Sequence, residues 1–426
     1  MKTSRLPGFY KLPIIERVKV VKDFANLTEE EVSLLLNTGS LPLSLADKMI
    51  ENVIGVFHLP FAVATNFLIN GKDYLVPMVI EEPSVVAAAS NAAKMVRSGG
   101  GFKASTTPPV MIGQIQLTKV KDIEEAKKQI LAEKDKILEI ANEKDPILVK
   151  LGGGAKDLEV RVIDTFKGPM IIVHLLVDVR DAMGANAVNT MAEAVAPYIE
   201  KITGGKVYLR IVSNLAVKRL ARAECIVPKE VLGGEEVVEG IMYAYAFAKS
   251  DPYRAATHNK GIMNGVIAVA LATGNDTRAL EAGAHAYASI TGRYLPLSTW
   301  EVTEKGDLKG FLEMPMAVGI VGGATRSNPL AKLAIKILGV KTASELAQVM
   351  VSVGLANNLA ALKALATEGI QRGHMKLHAR NLAIAAGAPG ELIDLVVERM
   401  IKEGEIRLDK AKKILEELKR ERKFIA

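Results

Sequence analysis

Cysteine is almost absent from the sequence, and this shortage limits the chemistry of the chain. The 426 residues include one cysteine, Cys225, which excludes an intramolecular disulfide and a metal site built from several cysteines. A lone cysteine could be a nucleophile. Because Cys225 is followed by the apolar residues Ile226 and Val227, we expect a buried structural thiol instead. A reducing compartment fits this composition.

Long apolar runs are also missing. No stretch approaches the roughly 18 uninterrupted apolar residues of a membrane-spanning helix, so the sequence predicts no membrane contact. The N-terminus carries no stretch like that of a secretory signal peptide. We therefore expect a cytoplasmic protein.

Aromatic residues make up only 5% of the sequence, and they do not interleave with the basic residues. The formal net charge of +7 is compatible with nucleic acid, an anionic membrane or polyanionic small substrates, but also with solubility alone. The basic residues concentrate at the two ends, especially at Lys410–Lys423. A stacking platform for single-stranded nucleic acid is thus disfavoured, and we expect no nucleic-acid partner.

The middle of the chain alternates between strand and helix patterns. The segments between residues 110 and 214 follow the order β-α-β-β-α-β, which predicts a ferredoxin-like unit. They are a strand at Val110–Val120, a helix at Asp122–Asn142, strands at Leu158–Phe166 and Met170–Val179, a helix at Ala187–Ile202 and a strand at Lys206–Val212.

The flanking segments share an apolar composition rich in Ala, Gly and Leu, which indicates one larger domain interrupted by this unit. We predict an α+β protein in which residues 1–109 and 215–372 form a large mixed α/β domain. Residues 110–214 form the inserted ferredoxin-like domain, and residues 373–426 form a small helical C-terminal flap. Two amphipathic helices, roughly Glu391–Lys402 and Asp409–Arg420, are expected in the flap.

A loop at Asp181–Asn186 lies between a buried strand and a helix of the inserted unit. Its glycine, Gly184, permits close approach of the backbone, and the free N–H groups of the following helix can hold a phosphate. Taken alone, the loop is more typical of an ordinary connection with Asn186 as the helix N-cap. The Gly-x-Gly-x-x-Gly pattern of a conventional Rossmann site is absent.

Polar residues interrupt an apolar helical region between Arg254 and Asn264 and again at Thr273–Asp276. A buried lysine such as Lys260 beside Asp276 could keep its charge and stabilise an oxyanion, and a structural ion pair is about equally plausible. The adjacent carboxylates Glu81 and Glu82 could be a solvated strand end, or one of them could be a buried proton donor.

Two histidines, His374 and His378, lie four residues apart at the start of the predicted flap. This spacing suits a metal on a helix, but no further ligand accompanies the pair, so we predict no metal site. His374 could be a general acid on a mobile flap, whereas two surface histidines are the simpler interpretation. The other four histidines are expected to be structural; they are His58, His174, His258 and His285.

Together and in this order, the motifs resemble those of the soluble, class II 3-hydroxy-3-methylglutaryl-CoA reductases, over nearly the whole chain. Each motif is weak alone, but their joint occurrence is specific. The resemblance implies an NAD(P)-dependent oxidoreductase that interconverts 3-hydroxy-3-methylglutaryl-CoA with mevalonate and CoA by two hydride transfers. Its landmarks are Glu51 to Gly55, Glu81 to Ser84, Asp181 to Asn186, Arg254 to Asn264, Thr273 to Asp276, Gly322 to Thr325 and Gly373 to Met375.

The resemblance also implies roles for individual residues. Glu82 is similar to the catalytic acid and Lys260 to the residue that stabilises the oxyanion. Asp276 would lie beside both and tune their protonation, and His374 would protonate the departing CoA thiolate. Contacts to the hydroxymethylglutaryl group are implied for Ser84, Arg254 and Asn264.

A nicotinamide dinucleotide is the implied cofactor. The residues that resemble its binding site are Asp181, Met183, Gly184, Ala185 and Asn186, with Gly322 and Gly323 lining it. Asp145 matches a position associated with NADH, because a carboxylate can bond the ribose 2′-hydroxyl but repels a 2′-phosphate. Lys144 and Lys150 are nearby cations that could still hold a phosphate, so NADPH stays possible.

The sequence departs from the family pattern at one position. At the position of an arginine that is similar to a CoA-phosphate contact in the family, this chain has Tyr10. Lys11 could substitute for it, without bidentate geometry.

Family precedent implies a homodimer with shared active sites, or an assembly of dimers. The direction, mevalonate synthesis for isoprenoids or mevalonate degradation, is open. Alternatives are another acyl-CoA-dependent oxidoreductase, or a module that binds RNA or metal. The module is disfavoured because Phe166 and Tyr208 belong to no aromatic-rich strand motif.

Overall fold

The protein has an α+β fold, as predicted, with its described strands arranged in three sheets. The computed structural model describes residues 2–367 and 369–423, with the side chains of 370–377 and 421–423 outside this description. Two large hydrophobic cores lie beneath the sheets.

The N-terminal part builds a layer of short helices and a β-hairpin. Its elements are a 3-10 helix (Phe9–Lys11), α1 (Ile14–Ala25), α2 (Glu29–Leu36), α3 (Leu43–Ala46), β1 (Phe61–Ile69), β2 (Lys72–Val79), α4 (Val85–Ser98) and β3 (Lys103–Thr106). Strands β1 and β2 pair antiparallel, and α4 packs on β1. The turn between β2 and α4 therefore lies at the end of the hairpin.

Residues 110–214 form a unit with its own sheet and core. Its elements are β4 (Val110–Thr118), α5 (Ile123–Ala132), α6 (Lys134–Asn142), α7 (Pro146–Lys150), β5 (Gly154–Ile163), β6 (Met170–Asp178), α8 (Ala185–Thr203) and β7 (Lys206–Val212). The strands pair antiparallel in the order β5-β6-β4-β7, which is the ferredoxin-like arrangement.

The single helix predicted at Asp122–Asn142 is wrong in detail. Glu133 leaves the helical conformation (φ −95°, ψ 15°) and separates α5 from α6. Tyr198 on α8 donates its hydroxyl to Glu133 Oε2 at 2.5 Å. The break thus coincides with a contact between the two helical crossovers.

After this unit the chain returns to the larger core. The elements are β8 (Leu220–Val227), α9 (Lys229–Leu232), α10 (Glu235–Ser250), α11 (Pro252–Ala272), α12 (Thr277–Ala288), β9 (Ser298–Val302), β10 (Leu308–Pro315), α13 (Gly323–Ser327), α14 (Pro329–Leu338) and α15 (Ala343–Ala366). Strand β8 lies beside β3 in a sheet of order β3-β8-β10-β9. Since β3 precedes the ferredoxin-like unit and β8 follows it, that unit is inserted between two neighbouring strands.

Helices α11 and α15 cross at very close range in the larger core. A Cβ atom on Gly265 of α11 would lie 2.4 Å from Asn357 Oδ1 and 3.0 Å from the carbonyl oxygen of Val353. A Cβ atom on Gly354 of α15 would lie 2.9 Å from Val266 Cγ2. Glycine at both positions therefore permits the close crossing.

Among the residues that the structure describes, α15 is the one helix long and apolar enough to cross a membrane. In its most apolar stretch, however, 67% is buried inside the protein. It packs against α11, α4 and the sheet that contains β8. Its apolar character is accounted for by this central position in the core.

Three C-terminal helices pack around a small core of their own. They are α16 (Ile370–Ala385), α17 (Gly390–Glu403) and α18 (Leu408–Lys423). Helices α17 and α18 confirm the two amphipathic helices predicted there. The domain limits predicted at residues 109, 214 and 372 stay predictions.

Candidate active site

Two of the predicted catalytic side chains, from segments far apart in the sequence, meet in the structure. Lys260 Nζ, on α11, donates to Glu82 Oε2 at 2.7 Å. The lysine side chain is 59% exposed and the glutamate 33% exposed, so the pair borders solvent in this chain, and neither side chain is buried, contrary to one possibility that the sequence left open. Exposed ion pairs contribute little to stability. An ammonium group at such a border can instead bind an oxygen that becomes negative during a reaction.

The turn that carries Glu82 has a strained backbone. Ser84, the N-cap of α4, has φ 78° and ψ −23°, in the left-handed region that side chains other than glycine rarely adopt. The next residue, Val85, accepts a hydrogen bond at its carbonyl from Asn357 Nδ2 of α15 at 3.1 Å. The conformation that places Glu82 is therefore held from the core.

Helix α11 presents the other predicted polar residues. Its N-cap, Asp251, accepts from the amides of Tyr253 (2.7 Å) and Arg254 (3.3 Å). Lys260 and Asn264 lie one turn apart and share a face of the helix. Burial lowers the pKa of the Arg254 guanidinium, at the start of the same helix.

A buried polar cluster lies behind Lys260. His258 Nε2 is 2.7 Å from Ser298 Oγ and 3.2 Å from Asn358 Nδ2. Burial, together with the nearby charge of Arg254, lowers the pKa of His258 to about 3, so the ring is neutral near pH 7. His258 is thus a structural residue, as the sequence predicts.

Asp276 stands apart from the Glu82–Lys260 pair within this chain. It is the N-cap of α12, where its Oδ1 accepts from the amides of Arg278 (3.0 Å) and Ala279 (3.1 Å). The end of α11 at Ala272 is about 18 Å from Lys260 along the helix axis, at 1.5 Å per residue. The chain by itself does not bring these residues together.

The Asp181–Asn186 loop has the features expected of a phosphate-binding turn. Gly184 has φ 99°, and a Cβ atom there would lie 2.5 Å from the Val179 side chain, so only glycine fits. Gly184 itself is the N-cap of α8 and supplies no side-chain bond to the first amides of the helix. Asn186 lies inside α8, so the alternative in which Asn186 caps the helix is wrong. The uncapped amides suit an anionic group.

A second segment, residues 318–325, lies directly against this loop. Ala182 forms an isolated parallel β-bridge with Val321, and the amide of Ile320 donates to the carbonyl of Asp181 at 2.9 Å. A Cβ atom on Gly319 would lie 2.5 Å from the amide nitrogen of Met183. Gly322 and Gly323, at the exposed N-terminus of α13, are therefore next to the predicted cofactor loop.

Sequence reasoning missed a buried arginine that joins these two segments. Arg219 donates from Nη1 to the carbonyl of Met183 at 2.9 Å and from Nη2 to that of Val318 at 2.5 Å. Burial lowers its pKa to about 10, while the charges of Asp178 and Asp181 act in the opposite direction. The nearby acidic residues, Asp178 at the end of β6 and Asp181 in the loop, were the signal in the sequence for a buried cation.

The same segment is tied to the loop before Asp276. Asn275 accepts from the amide of Gly319 at 2.8 Å and donates to its carbonyl at 3.2 Å. Thr325 Oγ1 donates to the carbonyl of Thr273 at 2.9 Å. The predicted cofactor loop and the Thr273–Asp276 loop are thus both fastened to one connecting segment.

The segment that begins at Asp145 is joined to the same region through Gly152. Asp145 is the N-cap of the short helix α7, and its Oδ1 accepts from the amide of Leu148 at 2.9 Å. Arg180 Nη2 donates to the carbonyl of Gly152 at 2.7 Å and pairs with Asp178 Oδ2 at 3.0 Å. This cation links the segment after Asp145 to the Asp181–Asn186 loop, and sequence reasoning did not single it out.

Three further predictions concern histidine, cysteine and metal. The backbone of His374 lies in α16, but its side chain is outside the described residues, so its predicted role cannot be placed. Cys225 is buried, and burial raises the pKa of its thiol to about 12, which confirms a structural thiol. Within the described part of the chain, no group of three or more His, Cys, Asp or Glu side chains could hold a metal ion.

The site therefore combines an ammonium–carboxyl pair with a separate turn suited to an anionic cofactor, as in enzymes that act on carbonyl compounds. The family model described as hydroxymethylglutaryl-coenzyme A reductase matches residues 13–379. The chain belongs to this family of NAD(P)-dependent oxidoreductases, and specifically resembles its class II members.

Individual relatives agree with this assignment. The chain is 66% identical over 417 residues to the 3-hydroxy-3-methylglutaryl-coenzyme A reductase of Archaeoglobus fulgidus, covering 98% of this chain and 95% of the relative. It is 35% identical to a probable reductase of Borreliella burgdorferi, over 97% of this chain and 96% of the relative.

Solved structures give the same result. The reductase of Streptococcus pneumoniae superposes with a TM-score of 0.83 at 44% identity, covering 97% of this chain and 99% of that one. A class II structure from the same organism, bound to NADPH in open conformations, gives a TM-score of 0.82, covering 96% of this chain and 100% of that one.

Proposed function

We propose that this chain interconverts 3-hydroxy-3-methylglutaryl-CoA with mevalonate and CoA, using Glu82 and Lys260 at the reacting carbonyl group. The contact of 2.7 Å between their side chains carries this proposal, because it joins two segments that the family resemblance assigns to one reaction. Lys260 stabilises the negative charge that develops on the thioester oxygen. Glu82 gives the proton when the aldehyde intermediate is reduced.

The residues around the Asp181–Asn186 loop fit a nicotinamide dinucleotide. The glycine-only turn at Gly184 and the uncapped amides of α8 suit its phosphates. We propose Asp181, Met183, Ala185 and Asn186 as further contacts, with Gly322 and Gly323 lining the site. When bound, the cofactor supplies the hydride for each reduction.

The substrate contacts follow from the same arrangement. Ser84 shares the turn of Glu82, and Asn264 shares a helix face with Lys260, so both are proposed to bind the hydroxymethylglutaryl group. Arg254 is proposed to bind its carboxylate, because a guanidinium presents paired donors. Lys11, in the 3-10 helix beside the exposed Tyr10, is proposed to contact a CoA phosphate as a point charge.

A homodimer, or an assembly of dimers, is proposed from the position of Asp276. Because Asp276 is far from Lys260 along its own chain, its proposed role in tuning Glu82 and Lys260 requires the copy from a second subunit. The protein is also proposed to be cytoplasmic, which the burial of its most apolar helix supports.

The direct test is a steady-state assay in both directions with NADH and with NADPH. Cofactor absorbance at 340 nm is expected to fall when 3-hydroxy-3-methylglutaryl-CoA is added, with release of free thiol. Absence of both signals would remove the proposed reaction. Thiol release with other thioesters but not with this one would instead identify a different acyl-CoA-dependent oxidoreductase.

His374→Gln is expected to block reduction of the thioester while sparing reduction of free mevaldehyde. The proposed reason is that the departing thiolate re-adds to the aldehyde unless an acid protonates it. His378→Gln, one turn later on α16, is the matched control and is expected to retain both activities. An equal fall in both steps for the His374 variant would contradict the thiolate role.

A preference for NADH over NADPH is proposed from Asp145. Asp145→Asn keeps an acceptor for the Leu148 amide but removes the charge that repels a 2′-phosphate. The kcat/KM ratio is expected to shift toward NADPH by about tenfold, equivalent to roughly 1.4 kcal/mol. Asp122→Asn, which makes the same change at the N-cap of α5, is the matched control and is expected to leave the ratio unchanged. An unchanged ratio in the Asp145 variant would contradict the assignment.

A further inference from the structure

Two consecutive asparagines on the core helix α15 contact both segments of the Glu82–Lys260 pair. Asn357 is 6% exposed and Asn358 is 1% exposed. Neighbouring positions on a helix point about 100° apart, so one helix can reach two different elements from adjacent residues. One asparagine reaches the turn of Glu82, and the other reaches the helix of Lys260.

Asn357 contacts the turn that carries Glu82. Its Nδ2 donates to the carbonyl of Val85 at 3.1 Å, directly after the strained Ser84. Its Oδ1 is buried and has no hydrogen-bond partner among the described residues, at the point where Gly265 of α11 approaches it. An unpaired buried acceptor is unfavourable for folding, so stability alone does not explain an asparagine here.

Asn358 contacts the helix that carries Lys260. Its Oδ1 accepts from Ser298 Oγ at 2.7 Å and from Trp300 Nε1 at 2.8 Å. Its Nδ2 lies 3.2 Å from Nε2 of His258, two residues before Lys260. Ser298 Oγ gives its one hydrogen to Asn358 Oδ1, so Nε2 of the neutral His258 donates to Ser298 Oγ at 2.7 Å, and Asn358 holds the ring through this serine.

We propose that Asn357 and Asn358 are positioning residues that fix the distance between Glu82 and Lys260. The segments that carry Glu82 and Lys260 are therefore both held by contacts to the same buried helix, α15. The close crossing at Gly265 and Gly354 leaves little room for that helix to shift. A displacement of about 1 Å in such a pair can cost roughly a hundredfold in rate. The proposal rests on the proposed function of Glu82 and Lys260.

Asn357→Leu separates positioning from stability. Leucine has the same branched shape and removes the donor to Val85 together with the unpaired acceptor, although its methyl group must fit against Gly265. The variant is expected to remain folded, with its melting temperature lowered by no more than about 5 °C. Its kcat is expected to fall at least about tenfold, with the KM for the nicotinamide cofactor unchanged. A residue with only a structural role would lower stability and activity together.

Aspartate at either position adds a readout in the pH profile. In Asn357→Asp, burial raises the pKa of the new carboxyl group, and only its protonated form can donate to Val85. In Asn358→Asp, burial likewise raises the pKa of the new carboxyl group, and its ionised form puts an uncompensated charge among Ser298, Trp300 and His258. For both variants, kcat relative to the unsubstituted enzyme is therefore expected to fall as pH rises.

Asn66→Asp is the matched control. Asn66 Nδ2 donates to the carbonyl of Ser90 at 3.0 Å, so this variant also removes an amide donor to α4, but away from Glu82. Its kcat ratio is expected to stay flat with pH and within about twofold of unity. A flat ratio near unity in the variants at 357 and 358 would overturn the proposal.

A crystal structure of a folded Asn357 variant, with leucine or aspartate, gives a test that needs no activity. Lys260 Nζ and Glu82 Oε2 are expected to lie beyond hydrogen-bond distance in it, and an unchanged contact would overturn the positioning role. If the unsubstituted enzyme fails to reduce 3-hydroxy-3-methylglutaryl-CoA, the proposed function fails instead. The two failures are therefore distinguishable.

Discussion

Replacement of Lys260 by alanine is expected to abolish measurable turnover while the protein still folds and binds its cofactor. The amine is the proposed donor to the developing oxyanion, and the loss of one such donor typically costs about a hundred- to a thousandfold in kcat. Because the side chain is 59% exposed, its removal leaves no cavity in the core. The measurements are kcat in the thioester assay and cofactor binding by fluorescence quenching.

Lys309→Ala is the matched control for this variant. Lys309 also forms an ion pair, with Glu301 at 2.8 Å, and its side chain is 38% exposed. Its loss is expected to change kcat by less than about twofold, since exposed pairs contribute little. Near-normal activity in the Lys260 variant would remove the lysine from the mechanism.

The ferredoxin-like unit could be predicted from sequence because its strands are either fully apolar or alternate between apolar and polar residues, and because its helices have clear starts. Strand β6 (Met170–Asp178) is buried along almost its whole length, and the sequence shows it as a run that is apolar except for His174 and the final Asp178. The boundary at Glu133 was not predictable, because the charged, amphipathic pattern continues through it. Local periodicity does not encode the contact from Tyr198 that coincides with the break.

The motifs of the active site were recognised as short polar segments, and the structure adds how they are held. Nothing local distinguishes Asn357 and Asn358 from other polar residues on a long apolar helix. Their function depends on Val85 and His258, which lie far away in the sequence. Contacts of this kind depend on tertiary packing, so a single sequence does not reveal them.

Asp276 is the opposite case. The sequence shows the motif that contains it but not the residues that it would contact in the active site. Within the chain it caps α12, as Asp commonly does at an N-cap, so the local chemistry is already satisfied. The second role proposed for Asp276, beside Lys260, would require a second copy of the chain.

Arg219→Met is expected to lower stability strongly and to weaken cofactor binding. Methionine keeps much of the volume, but the carbonyls of Met183 and Val318 lose their donors, and Asp178 and Asp181 lose a nearby cation. Removal of one partner from a buried ionic cluster typically costs about 3–5 kcal/mol. The measurements are the free energy of unfolding in urea and the cofactor dissociation constant.

The expected change in cofactor affinity follows from the position of the arginine, because it joins the Asp181–Asn186 loop to the 318–325 segment. Arg222→Met is the matched control: this arginine lies on β8 just after Arg219, pairs with Glu313 and has a side chain that is 41% exposed. Its loss is expected to cost about 1 kcal/mol or less and to leave cofactor affinity unchanged. If both variants bound the cofactor equally well, Arg219 would stabilise the fold without organising the cofactor loop. A selective loss of affinity in the Arg219 variant would show that the buried cation holds the two segments in their binding conformation.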